Sequence, residues 1–147
     1  MTTQEITQLA RVEMDAHGLA NIPIQWDKAK NRMGGCCHRG DQVLYLTFSS
    51  VLMPLLADSE VLDTIRHEIA HAKCPLGKHG AEWQAAAIAI GAAPFPCKAV
   101  EIDNKLVGYK YIAPCACGPT VHVSSRRRTR SVRCAKCQQH LTFIQQY

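Results

Sequence analysis

His67-Glu68-Ile69-Ala70-His71 is the stretch that organises the reading of this 147-residue chain. Side chains four apart on an α-helix share one face, so His67 and His71 can reach the same metal ion while Glu68 stands at the rim of that face. This is the H-E-x-x-H spacing of zinc hydrolases, in which the glutamate acts on a water and not on the metal. The alternative is a surface helix with incidental histidines, so the neighbouring sequence has to decide.

A catalytic zinc needs a third protein ligand and one open position. His79 follows His71 after Ala72-Lys73-Cys74-Pro75-Leu76-Gly77-Lys78, where Pro75 and Gly77 predict the end of one helix and a reversal of the chain. Gly80 to Gly91 is again helical in pattern, with Trp83, Ala87 and Ile90 at i, i+4 and i+7. His79 would stand at the start of that second helix and is preferred over Glu82, Asp63 and Cys74 as third ligand. Glu82 and Asp63 are each one turn from a ligand histidine and better placed to orient an imidazole. Cys74 would close the site.

Hydrophobic residues make up 47% of the chain and charged residues 20%, the balance of a globular protein. The start, Met1-Thr2-Thr3-Gln4-Glu5, does not resemble a secretory signal, and no apolar run approaches the roughly 20 residues needed to span a bilayer. An intracellular protein is therefore expected, cytoplasmic or nucleoid-associated, monomeric and without a membrane partner. In that setting closely spaced cysteines read as metal ligands before disulfides.

Cys115-Ala116-Cys117-Gly118 and Cys134-Ala135-Lys136-Cys137 are two such pairs, separated by sixteen residues. Their spacing predicts a structural zinc ribbon with Cys115, Cys117, Cys134 and Cys137 as ligands, although the first pair is one residue tighter than usual. Short strands are expected over 106–112, 120–123, 131–133 and 141–144. His122 and His140 are read as ordinary ribbon residues.

Residues 1–100 carry nine basic and ten acidic side chains, a net of −1; residues 101–147 carry eight and two, a net of +6. Arg126, Arg127, Arg128 and Arg130, with Arg133 and Lys136, lie between or within the cysteine pairs. Guanidinium groups bind phosphate oxygens in pairs of hydrogen bonds, so this cluster suggests sequence-independent contact with a DNA backbone. A solvated basic hairpin with no partner is the plainer alternative.

Toward the N-terminus, Ile6, Leu9, Ala10 and Met14 mark an amphipathic helix ending near His17-Gly18. Residues 22–26 and 43–48 read as strands, and Met33 to Asp41 as a short strand leading into a turn. Asp58 or Ser59 is the expected cap of the histidine helix, with Leu62, Ile65 and Ile69 inward. Trp26 and Trp83 read as core anchors, and Cys36, Cys37, Cys74 and Cys97 as small, partly buried side chains; the second reading for Cys36 or Cys37 is an inhibitory thiolate that approaches the catalytic zinc. Tyr45, His38 and Tyr109 are unranked candidates for stabilising an oxyanion. The boundary between an N-terminal domain, 1–100, and a C-terminal one, 101–147, falls near Pro94–Asn104.

Taken together, the sequence resembles the SprT-like, Spartan-related zinc metalloproteases. The resemblance rests on Arg32-Met33-Gly34-Gly35-Cys36, His67-Glu68-Ile69-Ala70-His71-Ala72, His79-Gly80-Ala81-Glu82-Trp83 and the two cysteine pairs. It implies an α+β fold: a compact zincin-like metalloprotease domain with a small β-sheet, followed by a four-cysteine zinc ribbon. It also implies two Zn²⁺ ions, one catalytic on His67, His71 and His79 and one structural, with Glu68 as the catalytic glutamate. Protein substrates bound or crosslinked to DNA are the implied targets. The rival readings are a non-catalytic nucleic-acid-binding adaptor and a zinc peptidase acting on free proteins.

Overall fold

The computed structural model describes residues 1–96, 102, 106–123 and 132–146. The chain forms two compact units, Met1–Glu101 and Ile102–Tyr147. Its class is α+β.

The first unit begins with α1, Thr3–Ala16, which opens on a reciprocal cap. The Glu5 amide donates to Thr2 Oγ1 at 3.2 Å, and the Thr2 amide donates to Glu5 Oε2 at 2.7 Å. Ile6, Ala10 and Met14 recur at helical spacing and are fully buried. Three strands follow: β1 (Ile24–Asp27), β2 (Gly34–Arg39) and β3 (Gln42–Ser49), in the order β1-β3-β2. β1 runs parallel to the central β3, and β2 antiparallel to it as a hairpin partner. Leu46 and Phe48 of β3 alternate inward and are fully buried. Trp26 tilts against Phe48 with ring centroids 6.0 Å apart, and its indole N–H donates to Thr7 Oγ1 of α1 at 3.0 Å. That hydrogen bond lets a large ring bury its polar edge while fastening sheet to helix.

A short 3₁₀ turn, Met53–Leu55, leads to α2, Asp58–Lys73. The helix starts one residue earlier than the sequence suggests. Ala57 occupies the N-cap, so Asp58 is already helical and neither it nor Ser59 serves as the cap. Alanine offers no acceptor; instead the Glu60 carboxylate reaches back to accept from the Ala57 amide at 3.0 Å. Val61, Ile65 and Ile69 form a fully buried stripe along α2. Arg66 projects beside it and grips Glu13 of α1 with two nitrogens, at 2.8 and 3.3 Å.

α3, Ala81–Ala89, packs on α2 through Trp83 and Ala87. After α3, the Ala93 amide donates to Asp63 Oδ1 at 2.7 Å, tying the chain back to α2.

In the second unit, β4 (Tyr111–Cys115) lies between β5 (Gly118–Val123) and β6 (Ile144–Gln145), both antiparallel. The strand expected over 106–112 begins only at Tyr111, because residues 106–108 turn and Gly108 takes φ 68°. The strand expected over 141–144 shrinks to two residues at 144–145; of the one expected over 131–133, residue 131 lies outside the described residues and Arg133 forms an isolated bridge with His140. Among the described residues, no helix is long and apolar enough to cross a membrane.

Candidate functional site

His67 and His71 lie one turn apart on α2, and His79 reaches them from the loop before α3. That loop is tight: the Gly77 amide bonds to Cys74 O at 2.9 Å and the Gly80 amide to Gly77 O at 2.6 Å. Lys78 and His79 both adopt positive φ, 33° and 61°, a left-handed backbone that costs energy for residues with side chains. Gln84 of α3 clamps the result by donating Nε2 to the His79 carbonyl at 3.0 Å.

The three Nε2 atoms form a near-equilateral triangle. His67–His71 is 3.2 Å, His71–His79 is 3.0 Å and His67–His79 is 3.1 Å. Protons cannot satisfy this arrangement, since each Nε2 offers one hydrogen or one lone pair, and three nitrogens cannot all pair. A divalent cation accepting three lone pairs can. Tetrahedral zinc at about 2.0–2.1 Å would hold its nitrogens about 3.3 Å apart, so these residues fit the ion.

Trp83 forms the floor beneath them. Fully buried, it packs against all three imidazoles, with ring centroids 4.7, 5.1 and 4.5 Å from His67, His71 and His79. Burial drives the His67 imidazole down to about 4, reinforced by His79 and opposed by Asp63. Burial likewise takes His71 to about 4, with His67, His79 and His38 adding to it. Both rings are therefore neutral at physiological pH, the state in which a metal binds.

Glu68 is 5% exposed and sits beside the imidazoles in an open cleft of about 690 Å³. Burial pushes its carboxyl up to about 8, and the positive charge of Arg32 works against that rise. Met33, Gly34 and Cys36 supply one wall with Arg32 and His38, while Pro75 and Lys78 come from the loop after α2. Arg32 is held by Asp27 Oδ2, which also accepts from Thr47 Oγ1 at 2.9 Å. A β-bulge between Cys37 and His38 interrupts the β2 register at the cleft.

Of the rival third ligands, Cys74 directs its sulfur to the Glu82 carbonyl, 3.7 Å away, and Asp63 is occupied with Ala93. Glu82 is exposed in the first turn of α3. Cys36 lines the cleft, and burial, with the charges of Glu68 and Cys37, pushes its thiol up to about 12, so it stays protonated. Among the oxyanion candidates, His38 borders the cleft, Tyr45 stands opposite Cys37 in the sheet and Tyr109 belongs to the second unit.

In the second unit Cys115, Cys117, Cys134 and Cys137 converge, with all four sulfurs within 4.8 Å of one another. Adjacent sulfurs are 3.3 Å (Cys115–Cys117), 3.4 Å (Cys117–Cys134) and 3.6 Å (Cys115–Cys137) apart. These are free thiols and not disulfides. Zinc–sulfur bonds of about 2.3 Å would set tetrahedral sulfurs about 3.8 Å apart, close to what is seen. The backbone amides of Cys137 and Lys136 point at the Cys134 sulfur and pull its thiol down to about 6, favouring the thiolate that binds metal.

Arg126, Arg127, Arg128 and Arg130 lie outside the described residues. Arg133 and Lys136 are exposed, and Arg133 Nη1 donates to the Gln138 carbonyl at 3.2 Å.

Two features of the site escaped the sequence reading. Trp83 is a core anchor as expected, but also the platform of the imidazoles. Arg32 to Gly35 border the cleft beside Cys36, for which paired glycines inside a strand were the available signal of close approach.

No curated protein matches the chain. One solved structure, the metallopeptidase zymogen of Pyrococcus abyssi abylysin, overlays with a TM-score of 0.46 at 16% identity, covering 56% of this chain and 75% of that one. The model of the SprT-like family matches residues 3–105 and so contains His67, His71 and His79, Glu68 and the whole three-stranded sheet. A match over that much of the sequence, on a three-histidine group suited to a metal, makes this chain a member of the SprT-like family.

Proposed function

We propose that the chain is a zinc-dependent endopeptidase acting on proteins held on DNA. The observation that carries the peptidase reading is the Nε2 triangle of His67, His71 and His79 with Glu68 beside it in an open cleft. A purely structural zinc would need no carboxylate there.

When bound, zinc supplies a Lewis acid and lowers the pKa of water toward about 7. The chain's own residues do the rest. Three neutral imidazoles, His67, His71 and His79, would hold the ion without cancelling its charge. With the ion bound, its positive charge would keep the Glu68 carboxyl ionised, and Glu68 would take the proton from the water that adds to the scissile carbonyl and deliver it to the departing amine. Arg32, fixed by Asp27, keeps a positive charge near the carboxylate.

The DNA part of the proposal is supported by charge. Residues 101–147 carry a net +6, concentrated at Arg126, Arg127, Arg128, Arg130, Arg133 and Lys136. Such a cluster binds phosphates without reading bases, and its affinity falls steeply with salt. On this reading the four-cysteine ribbon is the structural zinc site that presents the arginines, and the protein works where intracellular DNA is.

The test compares cleavage of a DNA-binding protein with and without duplex DNA, for the native chain and for a triple Arg126→Ala, Arg127→Ala, Arg128→Ala variant. DNA should accelerate cleavage by the native chain and not by the variant. Equal rates in all four reactions would leave a peptidase of free proteins.

A further inference from the structure

Gly34 of β2 stands opposite Phe48 in the sheet and lines the same cleft as Glu68. A methyl group built on its Cα would meet three nearest atoms, and all three belong to Glu68. It would lie 2.9 Å from Cγ, 2.9 Å from Oε1 and 3.2 Å from Cδ. Carbon atoms in contact settle at about 3.5–4.0 Å, so a methyl and this carboxylate cannot share the space. Gly34 does not occupy the left-handed region, so its backbone would accept alanine; only the Glu68 side chain stands in the way.

Gly35 differs. Its missing side chain would face Thr47 Cγ2 at 3.2 Å and Arg32 Nη1 at 3.3 Å, away from Glu68. The two glycines thus clear space on opposite faces of β2, one for the carboxylate and one for the Arg32–Asp27 pair.

Among the described residues the Glu68 carboxylate has no hydrogen-bond partner, although the side chain is almost fully buried. Packing against the strand therefore helps to set its direction. We propose that Gly34 is a positioning residue for Glu68: the bare strand backbone is the seat on which the carboxylate rests, and it sets where the proton-accepting oxygen stands. This rests on the peptidase reading above. Errors of about 1 Å in such placement can cost around a hundredfold in rate.

The experiment is Gly34→Ala in two backgrounds. In the native background, kcat should fall tenfold to a hundredfold with KM and zinc content unchanged, and the melting temperature should drop. In a Glu68→Ala background the same substitution should leave the melting temperature unchanged or raise it, because the clashing side chain is gone. Native kcat in Gly34→Ala, or an equal loss of melting temperature in both backgrounds, would overturn the proposal. A native chain that cleaves no peptide would defeat the peptidase reading alone, since the thermal cycle still decides whether the two residues compete for one space.

Discussion

His67 Nε2 and His79 Nε2 lie 3.1 Å apart although they are twelve positions apart in sequence and only one belongs to α2. This contact turns a pair of helical histidines into a three-sided metal seat. Replacing His79 with alanine should therefore lower the zinc content from two ions per chain to one, the survivor being held by the cysteines. Metal analysis after dialysis reads the count directly. Two ions retained would show that a different side chain completes the site.

Trp83 touches all three imidazoles, so its loss should be felt by the metal before it is felt by the fold. Trp83→Phe keeps an aromatic floor but shrinks it, and should weaken zinc binding at the histidines by about tenfold, the scale at which supporting residues act on ligands. Chelator competition measures this. Trp83→Ala should instead destabilise the first unit by about 3–5 kcal/mol in denaturant titrations, as deletions of a buried aromatic do.

Asp27 makes stability depend on pH. Burial alone would raise its carboxyl, but hydrogen bonds from the Ala29 amide and Thr47 hydroxyl, with the Arg32 charge, together hold it below the usual value. A depressed carboxyl stabilises the fold above its unfolded value of about 3.9, and that contribution is lost as pH falls through the lower folded value. Denaturation followed below about pH 4 should show the native chain losing stability that Asp27→Asn never had. The variant should be about 1–2 kcal/mol less stable at neutral pH, through the weakened Arg32 contact.

How far the residues announced this arrangement varies with the range of the interaction. Convergence of His67 and His71 follows from the period of one helix, and the cysteine pairs from knuckle spacing; both are local. His79 depends on left-handed backbone at Lys78 and His79, which no propensity favours, so only its distance from a turn pointed to it. The buried stripe of α1 was legible for the same periodic reason, and β3 from its β-branched and aromatic residues. The start of α2 was not, because Glu60 caps from inside the helix and leaves Ala57 at a position where a polar residue is expected. Trp83 as a platform and Gly34 as a seat are contacts between elements distant in sequence. A tryptophan at helical spacing and a glycine in a strand look alike with or without a metal site beside them. In the second unit, strands of two to six residues organised by cysteines leave too short a pattern for their ends to be read.

The central claim is that Glu68 is the proton acceptor of a peptidase whose metal is held by His67, His71 and His79. Peptide cleavage and zinc content should be measured together for the native chain and Glu68→Gln, a change that keeps shape and removes the ionisable group. The account predicts two zinc ions in each and cleavage by the native chain alone. Cleavage by Glu68→Gln at the native rate, with both ions in place, would contradict it.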